Sequence, residues 1–399
     1  MRPEIRKRIE MIRRGEVLDG FTKTKIGILP TDWKEVHIAN CISEHTQKTT
    51  ISNQYPVLTS SRKGLMLQTE YFSNRQVTTE DNIGYNILPF GYITFRSRSD
   101  DGRFHFNQNK IIEKGIISYF YPVFSFRETV SSEFMLELLN YSIYRRMYPY
   151  VEGTAQQVLS LGKLGKLVYY LPTLSEQTKI ATILTTQDKV IELKEKRLAE
   201  KQRQKKYLMQ QLLTGKKRLP GFNKTWNTVE LGEIFDYIQP TKYLVKTTDY
   251  DNAYKTPVLT AGKTFILGYT SETKDVYTNV PVVIFDDFTT ATQYVDFPFK
   301  VKSSALKILA VKDGFNIFFA YEAMQLIRFA VGGHERHWIS QYSCLTVDVP
   351  EIGEQTAIAQ VLSTADREIS LLRQGIEQEK QKKKALMQLL LTGIVRTTA

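Results

Sequence analysis

The residues best suited to contact a polyanion lie in one short polar segment. Residues 96–103 have the sequence Arg-Ser-Arg-Ser-Asp-Asp-Gly-Arg and directly follow an apolar and β-branched run at 93–95 that predicts a strand. Because arginine can donate two parallel hydrogen bonds to guanine O6 and N7 or to a phosphate, such a loop is suited to bind nucleic acid. Arg96, Arg98 and Arg103 are therefore candidate DNA contacts, with a solvated surface loop as the alternative.

A second polar segment follows a similar strand-like run at 283–285 but has different chemistry. Residues 286–293, Asp-Asp-Phe-Thr-Thr-Ala-Thr-Gln, contain no cation. Hydroxyl and amide side chains can recognise adenine or thymine, so the candidate contacts are Thr289, Thr290, Thr292 and Gln293. The two aspartates at 286 and 287 either form a turn or accept hydrogen bonds from cytosine amino groups.

Two basic turns extend this pairing of segments. The strand-like run Pro56-Val57-Leu58-Thr59 precedes Arg62 and Lys63, and the matching run Pro257-Val258-Leu259-Thr260 precedes Lys263. A basic loop after a strand is suited to contact DNA phosphates, which carry most of the sequence-independent affinity. We therefore add Arg62, Lys63 and Lys263 to the candidate contacts.

Three motifs could suggest catalysis, and each is incomplete. Residues 261–264 end like a phosphate-binding loop, but the first glycine of that motif would fall on Pro257. His334 and His337 lack the His-Glu-x-x-His spacing of a zinc site, and no third ligand is evident nearby. The aspartates at 286 and 287 lack the Glu-x-Lys partner of a metal-dependent nuclease. We predict neither a metal nor a cofactor, and no active site.

The composition fits a nucleic-acid-binding protein. Lysine and arginine number 54 against 42 aspartates and glutamates, a net charge of +12 in 399 residues. Such an excess favours polyanionic partners through counterion release. The two cysteines are far apart and no apolar run is long enough to cross a bilayer, so we expect a cytoplasmic protein that does not enter membranes.

The chain contains an internal repeat that positions these loops. Residues 171–219 align without a gap to residues 349–397, at a constant offset of 178 positions, as from Glu176 to Glu354. Both copies open with Pro-x-x-x-Glu-Gln and close with Leu-Leu-Thr-Gly. One ungapped register over this length indicates a duplication.

Each copy of the repeat predicts a long helix with a coiled-coil seam. Seam positions of the second copy recur at alternating spacings of four and three: Ile358, Leu362, Ala365, Ile369, Leu372, Ile376, Glu379, Lys383, Leu386 and Leu390. The same register in the first copy is apolar at its ends and polar in its middle, which predicts a weaker seam there. A helix of roughly 35 to 38 residues would extend about 55 Å. The cations between Lys194 and Lys206 lie on this helix and could contact DNA or a partner protein, or form a solvated face.

The segments between the helices predict two α+β domains of similar fold. Strand-like runs precede a helical pattern at 132–147 in the first segment and at 315–331 in the second. We predict five regions: an N-terminal helical segment at 1–21, α+β domains at 22–170 and 220–348, and long helices at 171–219 and 349–399. The expected fold class is therefore α+β, with two similar domains separated by two long antiparallel helices in a pseudo-two-fold arrangement.

This organisation resembles the specificity subunits of type I restriction-modification systems. The motifs that carry the resemblance are Pro172 with Glu176-Gln177, Pro350 with Glu354-Gln355, and both Leu-Leu-Thr-Gly endings. Trp33 and Trp226, each shortly after a Leu-Pro pair, match the entry to each recognition domain in that family. The resemblance covers the whole chain.

The resemblance implies a non-catalytic subunit that recognises double-stranded DNA with a bipartite target. Each domain would recognise one half of the target in the major groove, and the helices would fix the spacer. Two methyltransferase (modification) subunits would dock on this chain, and restriction (endonuclease/translocase) subunits would join through the complex. In agreement, the sequence contains neither Pro-Pro nor Phe-x-Gly-x-Gly, motifs that a DNA adenine methyltransferase would need.

Overall fold

A computed structural model describes residues 3–72, 81–147, 156–260, 264–329 and 337–397. It divides into two compact units: unit 1 comprises Met1–Leu193 with Ile376–Ala399, and unit 2 comprises Lys194–Gly375. The predicted contact Lys263 and the residues His334, Glu335 and Arg336 lie outside the described residues.

The first part of the chain, up to the first long helix, forms α1 (Pro3–Arg13), β1 (Phe21–Thr24), β2 (Gly27–Pro30), β3 (Lys34–His37), α2 (Ile38–Cys41), β4 (Ile42–His45), β5 (Leu58–Ser61), β6 (Gly64–Leu67), α3 (Gln68–Tyr71), β7 (Asn86–Pro89), β8 (Ile93–Phe95), β9 (Arg98–Ser99), β10 (Phe106–Gln108), β11 (Lys114–Ile117), β12 (Val123–Phe126), α4 (Ser132–Met147), β13 (Gln157–Val158), α5 (Leu161–Gly165), β14 (Val168–Leu171) and α6 (Leu174–Leu212). The second part forms β15 (Asn227–Glu230), α7 (Leu231–Ile234), β16 (Phe235–Ile238), β17 (Thr256–Leu259), β18 (Ile266–Thr270), β19 (Val282–Asp286), β20 (Thr292–Val295), β21 (Lys300–Val301), β22 (Leu306–Val311), α8 (Ile317–Met324), β23 (Thr346–Val349) and α9 (Ile352–Leu390).

The central sheet has the same strand order in both units. In unit 1 the order is β4-β12-β8-β10, and in unit 2 it is β16-β22-β19-β20, with every pairing antiparallel. A strand pair leads into each long helix, β3 with β14 before α6 and β15 with β23 before α9. The predicted strands at 93–95 and 283–285 are therefore equivalent strands, β8 and β19, of one repeated fold.

Each unit buries its own core between the sheet, one domain helix and segments of the long helices. In unit 1, Phe95 and Phe124 of the sheet share a core with Leu138 of α4 and Ile180 of α6. In unit 2, Phe285 shares a core with Phe319 of α8 and with Ile358 and Leu362 of α9. Burial of these large apolar side chains is the main stabilising contribution in both units.

The long helices each contain 39 residues, which corresponds to about 58 Å. Within unit 1 their segments pack antiparallel, and Gln187 of α6 donates a hydrogen bond to Glu379 of α9 at 2.8 Å. Within unit 2 the packing is also antiparallel, with Lys201 of α6 2.6 Å from Glu368 of α9. Both polar contacts lie in the part of the first copy where the sequence predicts a weaker seam.

The Glu-Gln pair of each repeat is buried and joins a long helix to its surroundings. In unit 1, Glu176 accepts two hydrogen bonds from Arg396, and Gln177 accepts one from the backbone N–H of Ser131 at 3.0 Å, just before α4. Gln177 also donates to the Pro172 carbonyl at 2.9 Å. The Glu-Gln pair, which the sequence shows only as part of a repeated pattern, therefore forms tertiary hydrogen bonds.

Unit 2 repeats the same contacts with the second copy of the motif. Glu354 accepts hydrogen bonds from Arg218, both at 2.6 Å, and Gln355 accepts one from the N–H of Asn316 at 2.8 Å, the residue that caps α8. Gln355 also donates to the Pro350 carbonyl at 2.8 Å. The two copies therefore perform the same structural task.

The glycine of each Leu-Leu-Thr-Gly ending lies close to one of the two tryptophans that follow a Leu-Pro pair. Gly215 and Gly393 both have positive φ, +67° and +70°, as expected where a helix ends in the left-handed conformation. A Cβ at Gly393 would come 3.1 Å from the Trp33 ring and closer still to Pro30, while one at Gly215 would touch Trp226 at 3.7 Å. The close approach at Gly393 explains why this position favours glycine for space as well as conformation.

The structure corrects one predicted element. The helical pattern at 315–331 predicts a helix about twice as long as the observed α8, which ends at Met324. The apolar residues that continue the pattern, Leu326, Ile327 and Phe329, instead pack as partly buried loop residues against the unit 2 core. Their spacing reflects burial and not helical structure. Among the described helices, none is long and apolar enough to cross a membrane.

Candidate nucleic-acid interface

Four of the predicted arginines line one cleft in unit 1. Arg62 lies at the tip of the β5–β6 hairpin, and Arg96, Arg98 and Arg103 lie in the segment between β8 and β10, where Arg98 belongs to the short strand β9. Together they surround a cleft of about 550 Å³. Residues separated by more than 30 positions in sequence thus form one basic, concave surface. Lys63 is exposed at the same hairpin tip but does not line the cleft.

Asp101 organises the basic loop. It forms an ion pair with Arg62 and accepts hydrogen bonds from the Ser99 hydroxyl at 3.0 Å and the Arg103 N–H at 3.2 Å. The hydrogen bond from Arg62 holds the pKa of Asp101 well below its usual range, so the carboxylate is charged. Gly102 has a φ of +71°, and a Cβ there would collide with the Gln157 side chain. The loop therefore has a defined conformation.

The other arginines are held by a second aspartate or by aromatic rings. Arg96 lies 3.9 Å from Asp100, which also accepts a hydrogen bond from Gln156 at 2.8 Å. The Arg98 guanidinium lies over the Phe120 ring at 4.1 Å, and that of Arg103 lies over Tyr144 at 5.5 Å. Cation–π contacts orient a guanidinium without neutralising it. Arg98 and Arg103 therefore keep their charge and their hydrogen-bond donors for a ligand.

Several residues of the cleft were not predicted from the sequence. Tyr71 and Phe72 are exposed aromatic side chains at its edge, and Tyr121 and His105 also line it. Burial lowers the pKa of His105, with a further contribution from Arg62. The aromatic residues follow the hairpin or a neighbouring strand, and no pattern in the sequence links them to the basic loop.

The loop of unit 2 between β19 and β20 occupies the place equivalent to the basic loop. Asp286 is buried and closes a turn: it accepts hydrogen bonds from the Phe288 N–H at 3.1 Å and the Thr289 hydroxyl at 2.5 Å. Thr290 has a φ of +58°, which fits a turn residue. Of the two alternatives for the aspartates, the turn is therefore the one that the structure supports.

Asp287 anchors the base of this loop and is not available to a base. It is buried, lies 3.5 Å from the buried Lys307, and accepts a hydrogen bond from the Trp338 N–H at 2.9 Å. Lys307 in turn donates to Gln239 at 2.7 Å. Buried charges require partners of this kind.

The remaining candidates of unit 2 are accessible polar groups. Gln293 and Thr289 are exposed, and Thr292 is half-buried and accepts a hydrogen bond from the exposed Gln325 at 2.7 Å. Gln325 is an addition that the sequence did not suggest. No arginine or lysine lies between 286 and 293, so this loop presents amides and hydroxyls where the unit 1 loop presents guanidinium groups.

Some of the cations between Lys194 and Lys206 have structural partners within unit 2. Lys201 pairs with Glu368, and Lys205 pairs with both Glu322 and Asp366. These two lysines are therefore engaged within the protein. Among the residues described, no group of three or more His, Cys, Asp or Glu side chains is placed to hold a metal ion.

The sequence matches a known family model twice. The model for the type I restriction modification DNA specificity domain matches residues 30–202 and again residues 223–380. The two matches each contain one of the two loops described above, together with much of the long helix that follows.

Individual proteins show the same relationship. The specificity subunit of the type I restriction enzyme EcoR124I/EcoR124II of Escherichia coli is 51% identical over 140 residues, which cover 34% of this chain and 34% of that subunit. A putative specificity subunit of the type I enzyme MjaX from Methanocaldococcus jannaschii is 25% identical over an alignment covering 95% of this chain and 97% of that protein.

Solved structures show the same fold. The S subunit of a type I restriction-modification system from M. genitalium has a TM-score of 0.63 at 13% identity, covering 90% of this chain and 96% of that one. A second solved chain comes from a structure of a type I R-M system that was described for its complex assembly and conformational transition. It has a TM-score of 0.52 at 16% identity, and the match covers 92% of this chain and 99% of that one. The chain therefore belongs to the type I restriction-modification DNA specificity family, and contains two copies of the domain with which that family recognises DNA sequence.

Proposed function

We propose that this chain is the non-catalytic recognition subunit of a type I restriction-modification complex and that each domain recognises one half of a bipartite DNA target. The observation that carries the proposal is the pair of loops after β8 and β19. They occupy the same place in two copies of one fold and carry different side chains. The recognition domains would comprise residues 22–170 and 220–348, and residues 1–21, 171–219 and 349–399 the helical parts.

The two loops suit different bases. Arg98 and Arg103 are exposed, charged and oriented by aromatic rings, which suits bidentate contact with guanine or contact with phosphate. Gln293 can donate to and accept from adenine, and the threonine methyl groups of the second loop can contact the methyl group of thymine. The half-site of unit 1 would accordingly contain guanine, and that of unit 2 would be richer in adenine and thymine.

The long helices would set the spacer and hold the partner proteins. Type I specificity subunits named in the comparisons belong to restriction enzymes, which supports assembly of this chain with modification and restriction subunits. We propose two methyltransferase subunits docked on this chain, restriction subunits joined through the complex, and action on cytoplasmic DNA.

An enzymatic role for the chain itself is the alternative. Calorimetry with S-adenosylmethionine separates the two ideas, because a recognition subunit alone should give no binding heat. Saturable binding by the purified chain would favour an enzyme. A pure scaffold is a further alternative, and it would bind every duplex with equal affinity at moderate salt.

The recognition loop is tested directly by Arg98→Ala and Arg103→Ala. Each should weaken binding to the target duplex by about 1–3 kcal/mol if it contacts a base, and should relax the sequence preference of one half-site only. Lys63→Ala, at the neighbouring hairpin tip, is the matched control for a phosphate contact. This variant should bind all DNA sequences more weakly by the same factor, and its affinity should depend less on salt concentration. Unchanged binding for both arginine variants would refute the loop assignment.

A further inference from the structure

Each unit contains a lysine held between two carboxylates, and the two clusters are equivalent. In unit 2, Lys205 of α6 contacts Asp366 of α9 and Glu322 of α8. In unit 1, Lys383 of α9 contacts Asp188 of α6 and Glu137 of α4. Lys383 follows Lys205 by 178 positions and Asp366 follows Asp188 by the same number, which is the offset of the repeat.

Each cluster has short contacts, and its lysine and glutamate are largely shielded from solvent, whereas Asp366 and Asp188 are 40% and 45% exposed. Lys205 Nζ lies 2.8 Å from Glu322 Oε1 and 2.7 Å from Asp366 Oδ2, with the lysine side chain 16% and the glutamate 1% exposed. Lys383 Nζ lies 3.2 Å from Glu137 Oε1 and 2.7 Å from Asp188 Oδ2, with the lysine 20% exposed. These lysines occupy seam positions, so they point into the helix packing and are not available to DNA.

Stability alone does not explain why these clusters consist of charged residues. Two carboxylates share one ammonium group, and burial raises the pKa of both Glu137 and Glu322, with the neighbouring aspartates adding to the effect. Apolar side chains of similar volume often stabilise a protein as well as a buried ionic cluster does. Polar groups at seam positions are best known for fixing the register of packed helices.

We propose that the two clusters fix the position of each recognition domain along the helix pair, and thereby restrict the complex to one spacer length. Lys205 and Lys383 are then positioning residues for target selection. This inference rests on the proposed function. It adds to that function the residues that select the spacer length, because each cluster joins both long helices to the helix of one recognition domain.

The geometry explains why a directional contact is needed. An ion pair adds a directional contact to the apolar packing between the helices, because a shift of about 1.5 Å, the rise of one helical residue, lengthens the distance from the lysine to its partners. A displacement of a loop by about 3.4 Å corresponds to one base pair of spacer. A small change in domain position is therefore enough to change the accepted target.

The experiment measures the methylation of a spacer library by the full chain assembled with the modification subunits of its own system. The library holds both half-sites constant and changes the spacer in steps of one base pair. The wild-type complex should methylate one spacer. The apolar variant Lys205→Met with Glu322→Leu and Asp366→Ala should fold, keep both half-site sequences, and raise methylation of the neighbouring spacers relative to the preferred one by about tenfold.

Three controls make the outcome specific. Lys205→Arg preserves the charge and should keep the single spacer. Lys201→Met removes an ion pair between the long helices that involves no recognition-domain residue, and it should leave the spacer preference unchanged. The equivalent variant Lys383→Met with Glu137→Leu and Asp188→Ala should broaden the spacer like the first, and it replaces the first if that one does not fold.

The results separate this inference from the function on which it rests. If the folded cluster variants still methylate only the spacer that the wild-type complex prefers, the positioning role is overturned. This holds even if their melting temperature falls, because the clusters would then contribute to stability only. A wild-type complex without any bipartite preference would instead refute the proposed function.

Discussion

The buried pair of Arg218 and Glu354 allows a quantitative test of how the Glu-Gln motif holds unit 2 together. The Glu354 side chain has 0% exposure and accepts two hydrogen bonds from Arg218, which is 28% exposed. Arg218→Ala would leave the carboxylate in place with one described donor, the Trp226 indole N–H at 3.2 Å. The variant therefore isolates the cost of a buried carboxylate that has lost its cation.

The expected magnitude follows from burial. Removing one partner of a buried ion pair typically costs 3–5 kcal/mol, and the partial exposure of Arg218 places this case near the lower end, at about 3 kcal/mol. For a cooperative unit of this size, each kcal/mol shifts the melting temperature by roughly 2–4 °C, so the loss should be about 6–12 °C. Arg218→Met with Glu354→Gln should recover much of it, because no buried charge remains.

Urea unfolding of the full chain measures these changes. Circular dichroism reports both units, and in a Trp33→Phe background the fluorescence of Trp226 and Trp338 reports unit 2. Arg218→Met, Glu354→Gln and the variant that combines them form a double-mutant cycle whose coupling energy should be about 2 kcal/mol. A loss below about 0.5 kcal/mol for Arg218→Ala, with no coupling, would refute the reasoning, since the pair would then contribute no more than a surface ion pair.

Two further predictions concern the spacer and the pH dependence of unit 2. Inserting seven residues near Lys201 keeps the seam register and adds about 10.5 Å to one helix, so an active variant should prefer a spacer up to roughly three base pairs longer, as measured by methylation mapping. An unchanged spacer would contradict the proposal that the length of the helices sets the spacer. Burial disfavours the charge of Glu272, but hydrogen bonds from Lys300 and the N–H groups of Thr247 and Lys246 outweigh it and lower its pKa to about 2 from 4.5. Stability from this carboxylate is therefore complete above pH 4.5 and is lost as the pH falls through about 2. Glu272→Gln should cost about 1.5–3 kcal/mol at pH 7, and the deficit in urea unfolding should shrink between these two pH values; a deficit independent of pH would exclude this linkage.

The sequence predicted the features that depend on local pattern. Periodic apolar residues such as Ile358 and Leu362 are buried in α9, and the strand-like runs at 93–95 and 283–285 form β8 and β19. These patterns succeed because helices and strands impose a fixed spacing on the residues that face the core. The position of the basic loop followed directly from the strand before it.

Contacts between segments that are distant in the chain could not be predicted from the sequence. The role of Glu176 depends on Arg396, which is 220 positions away, and the lysine clusters require three separate helices. Tyr71 and Phe72 join the arginine cleft only because a hairpin folds back beside the loop. A single sequence contains no spacing that connects such residues. The helical pattern at 326–329 was wrong for a related reason, because burial of a loop can imitate helical periodicity.

Mapping methylated adenines in DNA modified by the complex that contains this chain tests the central claim most directly. The proposed function, in which each domain recognises one half-site and the long helices set the spacer, predicts a single bipartite motif with one spacer length and different base preferences in its two halves. Methylation at a continuous motif, or at two half-sites that occur independently of each other, would contradict the account.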